Sequence, residues 1–187
     1  MTPDNPRLRD TALTLRQAFD LSFARAPREE IGQRESLLAI RMGGDPYAVR
    51  LGEIAGLHVD RRIMVLPTPV PELLGVAGFR GQIAPVYDLA SLCGHARAAS
   101  TRWLILLRGR EPVALAFETF EMHLSVVPEQ IVSTPDGIQA AKRATNTHLR
   151  NAVRCDGAVR PIVHLQSLLG DIQQRTHSII QQRKGQP

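Results

Sequence analysis

At 187 residues the chain is long enough for one core-burying domain with appendages, and it lacks any apolar run near the roughly 20 residues that span a bilayer. With a polar, charge-bearing N-terminus this predicts a soluble, cytoplasmic protein with no direct membrane insertion. Two cysteines without a close-spaced pair, Cys93 and Cys155, exclude a disulfide framework and a cysteine zinc site, and the net charge of +5 is carried by dispersed arginines with only 4% aromatic residues, a poor basis for nucleic-acid binding.

Asn5-Pro6 reads as an N-cap and first helical position, and Leu8, Ala12, Leu15, Phe19 and Phe23 then form an apolar stripe that ends before Pro27. This amphipathic helix either packs on the domain behind it or docks on another protein. Residues 27–35 are charged and read as a linker. From Leu37 the period changes to that of strands. Leu37–Met42 and Tyr47–Leu51 flank Gly43-Gly44-Asp45-Pro46, a hairpin turn. The apolar stretch Ile63–Leu66 runs into Pro67, Pro69 and Pro71, which exclude regular ladder pairing.

Pro71–Gly75 is expected to form one helical turn before the strand Val76–Phe79. The turn Arg80-Gly81 follows, then the strand Gln82–Tyr87 and a short helix that Asp88 caps and Gly94 stops. Arg102–Leu107 and Pro112–Phe117 form a second hairpin around Gly109-Arg110-Glu111, followed by the strand Phe120–Val127 and an irregular segment 133–146. Thr147–Arg154 and Ala158–Val163 flank the turn Cys155-Asp156-Gly157. A short helix Leu165–Leu169 precedes a basic helical tail, Ile172–Lys184.

The chain repeats itself. A shift of 66 sets Leu38-Ala39-Ile40 on Leu104-Ile105-Leu106, Gly43 on Gly109 and Pro46 on Pro112; a shift of 76 sets Gly81 on Gly157, Pro85 on Pro161, Leu89 on Leu165 and Gly94 on Gly170. The second half therefore carries extra residues, for which 133–146 is the evident place. Two copies of a several-stranded unit predict a mainly β domain of two small pseudo-symmetric barrels, since a lone open sheet would leave reactive edges. The first strands of each unit are expected to meet the last strands of the other. Three parts result: residues 1–35 as helix and linker, 36–171 as the two-lobed domain, and 172–187 as the basic tail.

Chemistry of catalysis is missing from the pattern. The six histidines show no metal-ligand spacing, and there is no nucleophile elbow, phosphate loop or dinucleotide fingerprint, so no enzyme activity, cofactor or metal is expected. Asp88 and His164 fall at equivalent repeat positions in different lobes and read as helix caps rather than an acid-base couple. Cys93 and Cys155 read as small buried residues. Arg80 is different: set between Gly78-Phe79 and Gly81, it is a forked donor in a small-residue frame, suited to a partner's carboxylate or carbonyl groups, and it recurs nowhere in the second half.

The run Leu74-Gly-Val-Ala-Gly-Phe-Arg-Gly-Gln-Ile-Ala-Pro-Val-Tyr-Asp-Leu89 resembles the signature of CheW-like chemotaxis coupling proteins, Gly-Val-Ile-Asn-Leu-Arg-Gly, three residues, then Pro-Val-x-Asp-Leu. Leu66-Pro67, Tyr47 and Val113–Glu118 extend the likeness, which covers about Leu37 to Gly170. It implies two five-stranded SH3-like barrels and a non-catalytic scaffold. Such a scaffold joins the cytoplasmic tip of a methyl-accepting chemoreceptor to the regulatory domain of a CheA-type histidine kinase. By the resemblance, Arg80 lies on the receptor-binding side with Gly78 and Phe79 beside it, and Ile54 matches an apolar position in the groove between lobes. Gly56 stands where many relatives carry glutamate. Gly78 and Phe79 replace the customary Asn-Leu, and His164 replaces the second lobe's aspartate. These departures, with the N-terminal helix, imply a divergent coupling protein for a specialised receptor or a pilus-type pathway. The alternative reading, from pI and small-barrel form, is a nucleic-acid-binding barrel protein.

Overall fold

The computed structural model describes residues 34–98, 100–133, 148–155 and 157–184, with side chains described as far as 174. The expected N-terminal helix, the segment 134–147 and Asp156 lie outside the described residues. Eleven strands form two mixed sheets. The first half contributes β1 (Glu35–Met42), β2 (Asp45–Arg50), β3 (Ile54–Val59), β4 (Leu73–Phe79), β5 (Gln82–Asp88) and the helix α1 (Leu89–Leu92). From the second half come β6 (Trp103–Leu107), β7 (Ala114–Phe117), β8 (Thr119–Val126), β9 (Ile131–Ser133), β10 (Leu149–Cys155), β11 (Ala158–Val163) and the helix α2 (Leu165–Lys184).

Each sheet takes its first hairpin from one half of the chain and its remaining strands from the other. One sheet runs β8-β1-β2-β11-β10-β9 and the other β3-β6-β7-β5-β4. Besides the antiparallel pairs β1–β8 and β3–β6, the halves cross at two parallel pairs, β2–β11, with Ala48 opposite Ile162, and β7–β5, with Ala114 opposite Val86. These pairs are images of one another under the sequence repeat. The exchange makes the lobes interdependent, as the repeat predicted.

Register also corrects the repeat. Leu104 pairs with Ala116 and Leu106 with Ala114, whereas Leu37 pairs with Arg50 and Ala39 with Ala48. In the first strand the true offset is therefore 67, placing Leu37 on Leu104, because the second hairpin's loop is one residue shorter. A shift of 66 would turn every β6 side chain to the wrong face. With the corrected offset the burial makes sense: Leu38, Ile40 and Met42 join Ile105, Leu107, Leu115 and Phe117 in a core shared by both sheets. The alternate residues fill each lobe's own interior, Leu37, Ala39 and Ala48 in one, Leu104, Ala114 and Ala116 in the other. Strands buried on both faces must be apolar at consecutive positions, which is why β1 and β6 read as continuous runs.

Neither ladder closes on itself by hydrogen bonds, yet both sheets curl. In the five-stranded sheet β3 and β4 are opposite edges, about 19 Å apart if the sheet were flat. The His58 and Phe79 rings, one from each edge, stand 4.9 Å apart. Just beyond β3, Met64 makes a two-bond bridge to Val76 of β4. In the six-stranded sheet the counterpart of that bridge is β9, whose Val132 lies opposite Ala152 of β10. The sixth strand is thus a longer version of a contact that both lobes possess. Gly75 permits the first-lobe version: a Cβ there would stand 2.1 Å from the Met64 carbonyl oxygen, and its φ of 142° is one an L side chain rarely adopts.

Three local expectations change. The expected turn Pro71–Gly75 gives way to strand from Leu73. The strand β3 had no counterpart in the sequence reading, because its alternation is broken by small residues. Finally, α2 runs unbroken from Leu165 to Lys184 through Gly170, while Gly94 ends α1 with a φ of 79°. The two glycines match in the repeat but differ in role. Gly170 is an ordinary helical residue, and the expected short helix continues without a break into the tail.

Candidate functional site

The β4–β5 hairpin is closed by a two-residue turn in which Arg80 and Gly81 both have positive φ, 47° and 85°. That is the turn whose twist suits a hairpin, and it prefers Asn or Gly at its first position. The β1–β2 hairpin obeys the preference with Gly43-Gly44, at 59° and 83°. An arginine held in this conformation costs about 1–2 kcal/mol. Its side chain is exposed and has no hydrogen bond or ion pair among the described residues. Nothing local to the fold rewards it.

The neighbouring residues divide. Gly78 is exposed on the outer face of β4, opposite Ile83. Phe79 points inward at 2% exposure, packed with Leu74, Ala77, Ala84 and Val86. Its ring is core, so its part in the site is to seat the turn, and the aromatic ring expected beside Arg80 is not displayed. Gly56 lies on β3, where a Cβ would come within 2.9 Å of His58 Nε2. Through His58, which stacks edge-on against Phe79, the structure brings Gly56 near the Arg80 turn. Ile54 is set apart: across the β3 bulge between Ile54 and Gly56, it is buried in the core shared by the sheets.

His58 and Arg61 were not legible as site residues. Burial, then the charges of Arg61 and Arg80, hold the His58 imidazole below its ordinary range. The sequence signal available was the basic run Arg61-Arg62 just after a strand, but nothing in it says that this run meets a turn nearly twenty residues on.

The remaining titratable groups serve structure. Asp88 is fully buried at the start of α1, but its Oδ2 accepts a hydrogen bond from the Ser91 hydroxyl at 2.6 Å rather than from a backbone amide. The expected amide cap is therefore replaced by a side-chain bond one turn on. At α2 the cap comes from elsewhere: Glu53 Oε2 accepts from the Leu165 amide at 2.8 Å, across 112 residues, and Glu53 Oε1 stands 3.4 Å from His164 Nδ1. Because His164 lacks the carboxylate that an anion-favouring helix start wants, Glu53 supplies it. Asp88 ends β5 of one sheet, whereas His164 follows β11 of the other, and the two form no couple. Burial, then Asp88, pushes the Cys93 thiol up to about 12, which removes it as a nucleophile. Among the described residues no His/Cys/Asp/Glu group could hold a metal ion, and no helix is long and apolar enough to cross a membrane.

The fold is thus mainly β, two mixed sheets that exchange strands, with an exposed arginine, unpaired among the described residues, on a positive-φ turn. The model of the CheW-like domain matches residues 36–174, and the chain belongs to that family. Among solved structures, the chain is similar to the crystal structure of the scaffolding protein TtCheW from Thermoanaerobacter tengcongensis. The TM-score is 0.61 at 15% sequence identity, over 70% of this chain and 89% of that one. At this identity the likeness is one of fold. No curated protein sequence matches the chain.

Proposed function

We propose that the chain is a non-catalytic coupling protein of bacterial chemosensory two-component signalling. It links the cytoplasmic tip of a methyl-accepting chemoreceptor to the regulatory domain of a CheA-type histidine kinase, in the cytoplasm at membrane-associated receptor arrays. Family membership supports this reading, as does the likeness to a protein described as a scaffold. In it each lobe is a small SH3-like barrel, an idea supported by the meeting of opposite sheet edges at His58 and Phe79. Two separate patches on one rigid body would hold receptor and kinase at high effective concentration and couple their states. Residues 1–35 would add a private partner contact, and 172–187 a basic tail. Exposed aromatic platforms for nucleic acid are lacking among the described residues, where Phe79, Phe117, Tyr47 and Tyr87 are buried.

The observation that carries the reading is Arg80 itself: exposed, unpaired among the described residues and held at positive φ where the first hairpin uses glycine. Arg80→Glu is expected to leave the melting temperature within about a degree of wild type while lowering co-sedimentation with receptor-containing membranes at least about tenfold. Unchanged receptor and kinase binding would overturn it. Arg80→Gly separates charge from backbone. It relieves the turn, raising stability by about 0.5–1 kcal/mol, and still loses the receptor.

A further inference from the structure

The unpaired charge does not stop at Arg80. Arg61 and Arg62 are also exposed and, like Arg80, have no hydrogen bond or ion pair among the described residues. Some arginines elsewhere in the domain are paired, Arg41 and Arg160 with Glu121, Arg50 with Glu35 and Arg102 with Asp60. Others, such as Arg150 and Arg154 of β10, are exposed and without an ion pair among the described residues, so what distinguishes Arg61, Arg62 and Arg80 is their place beside apolar surface. Asp60 is the acid next to Arg61 in the chain, and Arg102 occupies both of its oxygens, at 3.0 and 2.8 Å. Arg61 and Arg62 lie between His58, whose ring stands 4.9 Å from that of Phe79 next to Arg80, and Met64, which bridges to Val76 of β4, so the chain holds them at the seam that leads to the Arg80 turn. The charges of Arg61 and Arg80 both bear on His58. Among the described residues no carboxylate forms an ion pair with either of them.

Beside these cations lies exposed apolar surface. Ile83 is 73% exposed, with Gly78 opposite it in the ladder and therefore no side chain at its flank. Met64, 64% exposed, bridges to Val76, and Val76 pairs with Pro85. On β4, Val76 and Gly78 share the outward face, so Met64, Val76, Pro85 and Ile83 form one apolar row that leads toward the Arg80 turn.

We infer that this face of the first lobe is a docking surface for an acidic protein segment, whose apolar side chains cover Ile83 and Met64 while its carboxylates engage Arg61, Arg62 and Arg80. The inference rests on the reading of Arg80 as a receptor contact, and adds the chemistry of the receptor surface and two further residues that select it. Charge complementarity supplies the reason: guanidinium groups without acids of their own repel one another until a partner's carboxylates take their forks. The apolar row favours protein over lipid headgroup or nucleic acid, because an apolar centre edged by cations is the anatomy of a protein interface.

The test is co-sedimentation of the full chain with receptor-containing membranes from its native host. Receptor-free vesicles of phosphatidylcholine with phosphatidylglycerol, and labelled single-stranded DNA, serve as rival probes. The double variant Arg61→Glu/Arg62→Glu is expected to weaken binding at least about tenfold with an unchanged melting curve. Raising salt from about 50 to 300 mM should weaken wild type more steeply than Arg61→Gln/Arg62→Gln. If Arg80→Glu abolishes binding and the Arg61/Arg62 double variant stays within about twofold of wild type, the coupling reading stands and this inference is overturned. If neither changes binding, both fall. Equal binding to the receptor-free vesicles or to DNA also overturns it.

Discussion

The two lobes are the same construction finished in different ways, most visibly where their opposite sheet edges meet. In the second lobe that seam carries a longer ladder and a shared acid: β9 adds three residue pairs to β10, and Glu121 joins Arg41 to Arg160 at 2.5 Å on either side. In the first lobe the ladder shrinks to the Met64–Val76 bridge, and the charges at the seam, Arg61, Arg62 and Arg80, have no ion-pair partner among the described residues. The β4–β5 and β10–β11 hairpins share register to the residue, including the bulge after Leu73 and after Leu149. What differs is chemistry, not geometry. A scaffold that duplicates its architecture can leave one copy closed and the other open to a partner.

The sharpest way to break this comparison is at the paired positions Phe79 and Cys155, the last residues of β4 and β10. Phe79→Ala removes a ring buried to 2% and should cost about 3–5 kcal/mol, whereas Cys155→Ala at a half-buried site should cost about 1 kcal/mol or less. Thermal melts of the two variants check this, and equal losses would mean that the seams are built alike.

A smaller effect tests the helices. Glu53→Ala leaves the Leu165 amide without its acceptor and removes an acid from the start of α2, for an expected loss of about 1–2 kcal/mol. Amide exchange should quicken in the first turn of α2 and stay unchanged in α1, which Glu53 does not touch. Glu53→Gln keeps an acceptor oxygen and should recover part of the loss.

The smallest effect is one of pH. His58 is held below its ordinary range, so the folded protein favours the neutral ring more than the unfolded chain does. Its contribution is therefore complete above about pH 6.5 and is lost as pH falls through the depressed folded value. Melting temperatures taken at descending pH should fall less for His58→Gln than for wild type. An identical fall would place the histidine outside the cationic cluster.

Much of this was legible in the chain. The exchanged hairpins follow from the repeat, the glycines and prolines mark most turns, and the Arg80-Gly81 turn stands out by failing to recur. The family resemblance rests on the same residues. Less legible were the face of Phe79, which an adjacent displayed arginine disguised, and β3, whose small residues blur the alternation. The cap on α2 escaped altogether, since the matching position, His164, suggested a weak local cap and the working one came from Glu53.

By itself the sequence determined most of the strands, though not β3 or β9, together with the hairpin turns, the twofold plan and the singular arginine, because side-chain alternation, glycine tolerance and repetition are properties of neighbours in the chain. Tertiary structure alone decided the one-residue offset that sets the faces of β6, the cap that Glu53 lends to α2, and the meeting of His58 with Phe79 and Arg80. The last of these depends on how far the sheet curls before its edges meet. Curl is fixed by packing on both faces at once, a quantity that no window of residues contains.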